Sequence, residues 1–399
     1  MDDRSRTSAR DIRRRNRSIL LSKLFFDAPL SRLELAQLTG LSGATVSNLT
    51  GELVDERLIV PVGQVESDGG RPRVMLRVDP RYGYLVGADV GETGVKVELF
   101  DLAMERRGEA DLPLAGERPT PAEVADHVVA GLARVLGAAG VQADQVIGIG
   151  VAVPGMVERG ESIAVHAPTI GWQAVPLERL LRERGVTAPV FVDNGAKAQG
   201  RAEMWFGAGR GARHAVVALV GSGVGAAVIN DGAAYRGAGS TAGEWGHTTL
   251  VYGGRECRCG ARGCLEAYVG AGAVVERHRE VGGGLAGDDQ EAAIAALLAD
   301  PSAEAERVLA ETADYLGAGI ANLINLFNPE RVVLGGWAGL LLGPRLLPRI
   351  REAAERQALA FPFGQVTVEM GSLGSDAVAF GAAMLPLEAL LGAGADPRR

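Results

Sequence analysis

Three cysteines, Cys257, Cys259 and Cys264, lie within eight residues in the run Cys257-Arg258-Cys259-Gly260-Ala261-Arg262-Gly263-Cys264. They are all the cysteines the chain has, and an odd number packed this tightly does not build a disulfide framework. Ten residues before the first of them, Gly243-Glu244-Trp245-Gly246-His247 supplies an imidazole. One imidazole and three thiols complete the four-coordinate shell that structural zinc prefers, and the glycines between them permit a tight knuckle. His247, Cys257, Cys259 and Cys264 are therefore the candidate ligands of one structural Zn2+. Buried free thiols are the alternative, but thiols gain little by packing in so polar and glycine-rich a stretch. Whatever else the chain forms, it must gather residues 243–266 around one point.

With 399 residues the chain exceeds one ordinary core, so a small domain and a larger, two-lobed one are expected. Apolar residues at 47% and charged residues at 23% exclude a disordered chain. No run of about 18 uninterrupted apolar residues is present, and Ile19 to Phe26 is broken by Ser22 and Lys23, so neither a membrane partner nor a secretion signal is expected and the reading is cytoplasmic. Net charge is −8, but residues 1–81 carry 14 basic against 11 acidic side chains, leaving 27 against 38 for the remainder. A head at +3 on a body at −11 suits a nucleic-acid reader carried by a domain that avoids phosphate.

Apolar residues from Ile12 to Phe25 recur at helical spacing. Ser31 stands three residues before Glu34, a capping pattern that starts a second, short helix. Thr39-Gly40-Leu41-Ser42 supplies a turn and the cap of a third helix from about Gly43 to Glu56. This is a helix-turn-helix whose third helix would present Ser42, Ala44, Thr45, Ser47 and Asn48 to base edges. Strands at Leu58–Val62 and Val74–Val78 would form a wing, with Arg71 and Arg73 on a polar loop, Gly69 to Arg73, suited to phosphate or a narrow minor groove. The expected partner of residues 1–80 is double-stranded operator DNA.

Beyond a linker at residues 79–83, Tyr84–Asp89 reads as a buried strand that empties into Val90-Gly91-Glu92-Thr93-Gly94, and Val95–Asp101 as its hairpin partner. The unit recurs at Ala215–Val220 with the turn Gly221-Ser222-Gly223-Val224-Gly225, which points to two lobes, 84–195 and 196–399. Glycine turns of this kind let backbone N–H groups approach an anion. Val190–Val192 reads as a strand ending in Asp193-Asn194-Gly195, ahead of a helix from Ala196 to Phe206, and Ala318–Phe327 as a helix. Val281–Glu304 reads as irregular.

From about Ser31 to Met384 the order of wing, linker, glycine turns and metal knuckle resembles the ROK family of repressors and sugar kinases. The resemblance implies an α/β chain: a winged helix-turn-helix followed by a two-lobed, actin-like (ribonuclease H-like) sugar-kinase fold, its C-terminal helix packing back on the first lobe. In that family the histidine of Gly-Glu-x-Gly-His is a zinc ligand beside the sugar. Two glutamates and the Asn before the catalytic Asp hold hydroxyls, which implies sugar contacts from Asn194, Glu244, His247 and Glu266. Val332-Val333-Leu334-Gly335-Gly336 resembles the strand and turn at the adenosine site.

Two departures from the family kinases decide the expected function. The catalytic base follows Asn in that family, and this chain has Gly195 there, while Asp193 is two positions early on an extended segment. The first phosphate turn, Asp-x-Gly-Gly-Thr-Lys in the kinases, carries Glu92 in place of a glycine and Gly94 in place of the lysine, and like charge there should weaken ATP binding. The resemblance therefore implies no catalytic residue and a repressor whose ligand is a sugar or sugar phosphate, as a homodimer or homotetramer. A bifunctional regulator with residual ATP-dependent sugar kinase activity is the alternative.

Overall fold

A computed structural model describes residues 8–394 apart from 68–69, 115, 117, 161 and 284–288, with the backbone alone at 67, 70 and 71. The head comprises α1 (Ala9–Asp27), β1 (Leu30–Ser31), α2 (Arg32–Thr39), α3 (Gly43–Asp55), β2 (Ile59–Ser67) and β3 (Gly70–Val78). Its helices begin where short-range hydrogen bonds dictate. Ser31 Oγ accepts the Glu34 N–H at 3.3 Å while Glu34 accepts the Ser31 N–H at 2.7 Å, which closes the capping box of α2. Gly40, at φ 69, ends that helix, and Ser42 Oγ accepts from Thr45 N at 3.1 Å to start α3. The wing differs from expectation. Its strands are nine residues each, Gly70–Arg73 belongs to β3 rather than to a loop, and Leu30 of β1 pairs with Leu76 to make a third strand. The Val74, Leu76 and Val78 alternation continues through Pro72, and proline is tolerated on a short ribbon of this kind. Gly69 and the side chain of Arg71 lie outside the described residues.

The first lobe runs β4 (Tyr84–Val90), β5 (Gly94–Asp101), β6 (Arg106–Pro113), α4 (Pro121–Ala139), β7 (Val146–Val153), β8 (Met156–Arg159), β9 (Ile163–Ala167), β10 (Trp172–Val175), α5 (Leu177–Glu183), β11 (Val190–Asn194) and α6 (Gly195–Phe206). The second runs β12 (Ala215–Val220), β13 (Val224–Asn230), β14 (Ala233–Ala234), α7 (Glu266–Val269), α8 (Ala271–Glu280), α9 (Gln290–Ala299), α10 (Ala303–Phe327), β15 (Arg331–Gly335), α11 (Trp337–Gln357), α12 (Ala360–Phe363), β16 (Thr367–Met370) and α13 (Ala377–Ala393). The stretch expected to be irregular therefore holds α9 and the start of α10. Alanine on most sides of α9 hides its period, although Ala293, Ile294 and Leu297 are buried.

Each lobe is built on a five-stranded sheet of the same topology. The orders β6-β5-β4-β7-β11 and β14-β13-β12-β15-β16 both place an antiparallel hairpin and its third strand beside two parallel strands. Both first hairpins carry a glycine turn, and the repeat sets these turns to face each other across the cleft between the lobes. β7, VIGIGVAV, is buried at every residue, as a central parallel strand covered on both faces must be.

One of those covers is α13, the described helix whose length and apolarity would also suit a membrane; here β4, β7, α6 and α1 take its faces. Glycines let it lie almost on the sheet backbone. A Cβ on Gly87 would stand 1.9 Å from the Ala379 carbonyl oxygen, one on Gly150 1.8 Å from that of Ala382, and one on Gly381 1.9 Å from that of Ala198. Gly150→Ala must therefore push helix from sheet, with an expected cost of about 3 kcal/mol or more and a fall in melting temperature of roughly 5 °C or more. Gly137 sits exposed in α4 with open space around its would-be Cβ. Gly137→Ala should leave melting unchanged or raise it. Differential scanning fluorimetry of the two variants checks both signs.

Candidate functional site

A cavity of about 420 Å³ opens between the lobes, lined by Glu92 and Gly221 of the two glycine turns and by Asn194, Glu244, His247 and Glu266. All four residues expected from sequence at a sugar are thus brought together, but they are held differently. Asn194 ends β11 and caps α6: its Oδ1 accepts from Lys197 N at 3.2 Å and its Nδ2 donates to the Gly155 carbonyl at 2.7 Å. Glu244 precedes a single turn anchored by the Trp245 indole, which donates to the Gly319 carbonyl at 3.1 Å. Burial raises the Glu244 carboxyl above its usual range, against the opposing pull of His247 and Lys197. Glu266 lines the cavity but is also held by protein groups. It is 4% exposed, its Oε2 accepts from Val224 N at 2.9 Å, and its Oε1 faces Arg258 at 3.3 Å, so both oxygens already serve the protein.

Gly195 is the first residue of α6, and a Cβ there would meet nothing closer than Val378 Cγ1 at 3.8 Å. Packing does not require its missing side chain. Asp193 cannot substitute, because it is buried behind the strand with Arg236 at 2.8 Å, Arg201 at 3.3 Å and Arg159 at 3.7 Å. Burial alone would raise its carboxyl, but the Arg236 hydrogen bond and the three guanidinium charges outweigh it and hold the carboxyl below its usual range. Asp89, which opens the first turn, is pushed up to about 7 by burial. The charge of Glu92, expected to repel phosphate, is matched by Arg258, 2.6 Å away, a pairing between residues 166 apart in sequence that sequence reading did not find. Arg258's place between two metal ligands was the available signal.

Beside the cleft, His247, Cys257, Cys259 and Cys264 bring their ligand atoms within 4.8 Å of one another. Cys257 Sγ lies 3.7 Å from His247 Nδ1, and Cys259 Sγ 3.8 Å from Cys264 Sγ. Thiolates at about 2.3 Å from one tetrahedral ion are separated by roughly 3.8 Å, so the four atoms fit zinc. The knuckle closes through Cys257 N to Ala261 O at 2.8 Å and Gly260 N to Cys257 O at 2.9 Å. Gly263, at φ 81, lies so close to Val251 that a Cβ would stand 1.7 Å from its carbonyl oxygen. Without a cation, burial pushes the Cys257 thiol up to about 12, so metal binding must release protons.

The ROK family pattern matches residues 85–389. The chain belongs to the ROK family. A putative xylose repressor of Caldicellulosiruptor sp. (strain Rt8B.4) is 31% identical over 391 residues, covering 95% of this chain and 97% of that one. A solved ROK family transcriptional regulator, a homologue of the Escherichia coli MLC protein, superposes with a TM-score of 0.79 at 25% identity, covering 96% of this chain and 97% of that one. A ROK glucokinase from Streptomyces griseus, solved with glucose and AMPPNP, covers 77% of this chain and 100% of itself, with a TM-score of 0.68 at 27% identity. The two regulators therefore match head and body together, and the kinase matches three quarters of the chain.

The head adds a second concavity, a groove of about 610 Å³ between α1 and α3, lined by Ile12, Asn16, Thr45, Ser47, Asn48 and Glu52 among others. Ala44, Ser47 and Asn48 are exposed, whereas the hydroxyls of Ser42 and Thr45 lie 2.8 Å apart and are partly used in capping. Arg73 is half-buried on β3, near enough to Glu34 to help lower its carboxyl after the Ser31 hydrogen bonds. Sequence reading missed Arg17. This buried residue of α1 donates to Glu52 at 3.1 Å, to Glu56 at 2.6 Å and to the Gly394 carbonyl at 2.8 Å, tying the head to the end of α13.

The metal centre yields a direct expectation. Cys259→Ser should lower bound zinc by about half or more and loosen residues 255–265, since binding is coupled to local order. Elemental analysis after dialysis against a weak chelator, with hydrogen exchange across the knuckle, reads both effects; full zinc in the variant would remove Cys259 from the shell.

Proposed function

We propose that the protein is a sugar-responsive transcriptional repressor that reads operator DNA with residues 1–80 and binds its effector between the lobes, 84–195 and 196–399. The observation that carries this reading is Gly195 at the base position of a cavity that keeps Asn194, Glu244 and His247. Sugar phosphorylation needs a general base at the attacking hydroxyl, and the neighbouring Asp193 does not supply one, because it is occupied by arginines. Binding needs only hydrogen-bonding groups and a cavity of this size. The full-length relative named a xylose repressor makes xylose the first sugar to try.

In this reading Ser47 and Asn48 meet base edges, Arg71 and Arg73 meet phosphates, and one zinc per chain stiffens the cleft wall through His247. Two heads on a homodimer or homotetramer then read paired half-sites about one helical turn or a multiple of it apart. A second reading, a regulator with residual sugar kinase activity, is favoured by the match of the body to a glucokinase. A coupled ATPase assay over hexoses, pentoses and N-acetylated sugars separates the two, and sugar-dependent turnover would establish the second.

Thermal-shift screening identifies the effector, since a ligand at 100 times its dissociation constant stabilises by about 2.7 kcal/mol. Titration of that sugar into a fluorescent operator complex should then require about tenfold more sugar for Glu244→Ala, with operator affinity in its absence unchanged. Glu244 is the better test than Glu266, whose removal would also free the Val224 N–H. Asn48→Ala should cut the ratio of specific to non-specific binding by about tenfold, whereas Arg73→Ala should lower both and flatten the salt dependence. An unchanged ratio in Asn48→Ala would place the recognition surface elsewhere.

A further inference from the structure

Arg258 leaves the knuckle between Cys257 and Cys259 and bridges the two glycine turns. Its Nη1 donates to Glu92 Oε2 at 2.6 Å, and its Nη2 donates to the Ser222 carbonyl at 2.9 Å and to Glu266 Oε1 at 3.3 Å. These partners come from three places: the β4–β5 turn of the first lobe, the β12–β13 turn of the second, and the start of α7. The two carboxylates flank the second turn as well, since a Cβ on Gly223 would lie 3.5 Å from Glu266 Oε2 and 3.9 Å from Glu92 Oε1. One guanidinium and two carboxylates thus stand where two glycine turns face each other across the lobes.

Open glycine turns that converge on a cleft would offer backbone N–H groups to an anion. Here the gap is filled from within by one cation and two anions, a net negative charge. A bidentate-capable guanidinium is a strong phosphate ligand when unpaired, and here Glu92, only 13% exposed, occupies its Nη1 while Ser222 and Glu266 hold its Nη2. An incoming polyanion would have to displace Glu92 and then lie beside it, beside Glu266 and near Asp89. An uncharged sugar at Asn194 and Glu244 meets no such barrier.

We propose that Glu92 and Arg258 form a latch that sets ligand selectivity, keeping nucleotides and other polyphosphates out of the cleft while leaving it open to uncharged sugars. The latch rests on the reading of this cleft as an effector pocket, though not on which sugar enters. Glu92 supplies the exclusion and Arg258 is a latent anion site. Removing Glu92 therefore does more than open space: it frees the Nη1 side of a guanidinium between two glycine turns, while Nη2 stays with Ser222 and Glu266. Arg258 also carries a contact from the knuckle to the first lobe, and its neighbours Cys257 and Cys259 fix where its side chain starts.

The test uses the full-length, zinc-loaded protein and isothermal titration with inorganic pyrophosphate and with magnesium AMPPNP. Wild type should bind either weakly, with Kd above about 1 mM. Glu92→Gly should gain about tenfold or more for pyrophosphate, and the gain should shrink with added salt. Glu92→Gln keeps the size and removes the charge, so a gain there as well separates charge from space, and it preserves the test if the glycine variant folds poorly. Adding Arg258→Ala to either variant should abolish the gain. Wild-type binding as tight as that of both Glu92 variants, or an undiminished gain in the double variants, would overturn the latch. Sugar-induced thermal shifts are measured on the same samples. If no sugar shifts the wild type while the Glu92 gain appears, the effector reading falls and the latch stands. Sugar shifts without a Glu92 gain would overturn the latch and leave the effector reading in place.

Discussion

Backbone-to-backbone contact between α13 and the sheet of the first lobe is the constraint on which the other placements depend. Gly87 and Gly150 leave no room for a Cβ beneath Ala379 and Ala382, and Gly381 leaves none against α6. A helix seated this closely has one register and one rotation, because any slip drives a side chain into a carbonyl. α13 thereby fixes β4 and β7, which carry the first glycine turn and the floor of the cleft, and α6, which carries Asn194 at its cap. Its far end fixes the head, where the Gly394 carbonyl receives the buried Arg17.

The same geometry explains how the head and the cleft share one framework. α6 is a twelve-residue helix, about 18 Å long by its rise. Its N-terminus is capped by Asn194 at the cleft. At the other end Trp205 lies 5.1 Å from Phe26 and Phe206 lies 6.3 Å from Phe25, both on α1, while Phe206 also meets Phe380 of α13 at 5.4 Å. The head's apolar core is accordingly continuous with Leu85, Ile147, Met384 and Leu387 of the body. Head and body are joined through a packed interface rather than through a loose tether.

Electrostatics in the cleft follow a single pattern, in which acidic groups are given partners that remove them from chemistry. Asp193 is surrounded by three arginines, Glu266 is tied to Val224 N, and Glu92 is tied to Arg258. Glu244 and Asp89 are the exceptions: burial raises both carboxyls, that of Asp89 to about 7, and His247 and Lys197 oppose the rise at Glu244. A carboxylate in that state accepts hydrogen bonds from hydroxyls at low cost, since its desolvation is already met by folding.

Features that depend on neighbours a few residues away were legible in the chain alone. Ser31 with Glu34, Ser42 as the cap of α3 and the Cys-x-Cys spacing are all of this kind, and each stands in the structure where its spacing placed it. The alternating pattern also revealed the paired hairpins of the two lobes. The ends of the wing strands and the helical character of residues 290–299 were not legible, because proline and glycine in one case and a run of alanines in the other mask the period. Partners separated by long stretches of chain were settled by folding instead: Arg258 with Glu92 across 166 residues, Arg17 with Gly394 across 377. A charge or a glycine in sequence states a capacity, while the partner that uses it is chosen by the packing of β4, β7, α6 and α13, which no local pattern encodes.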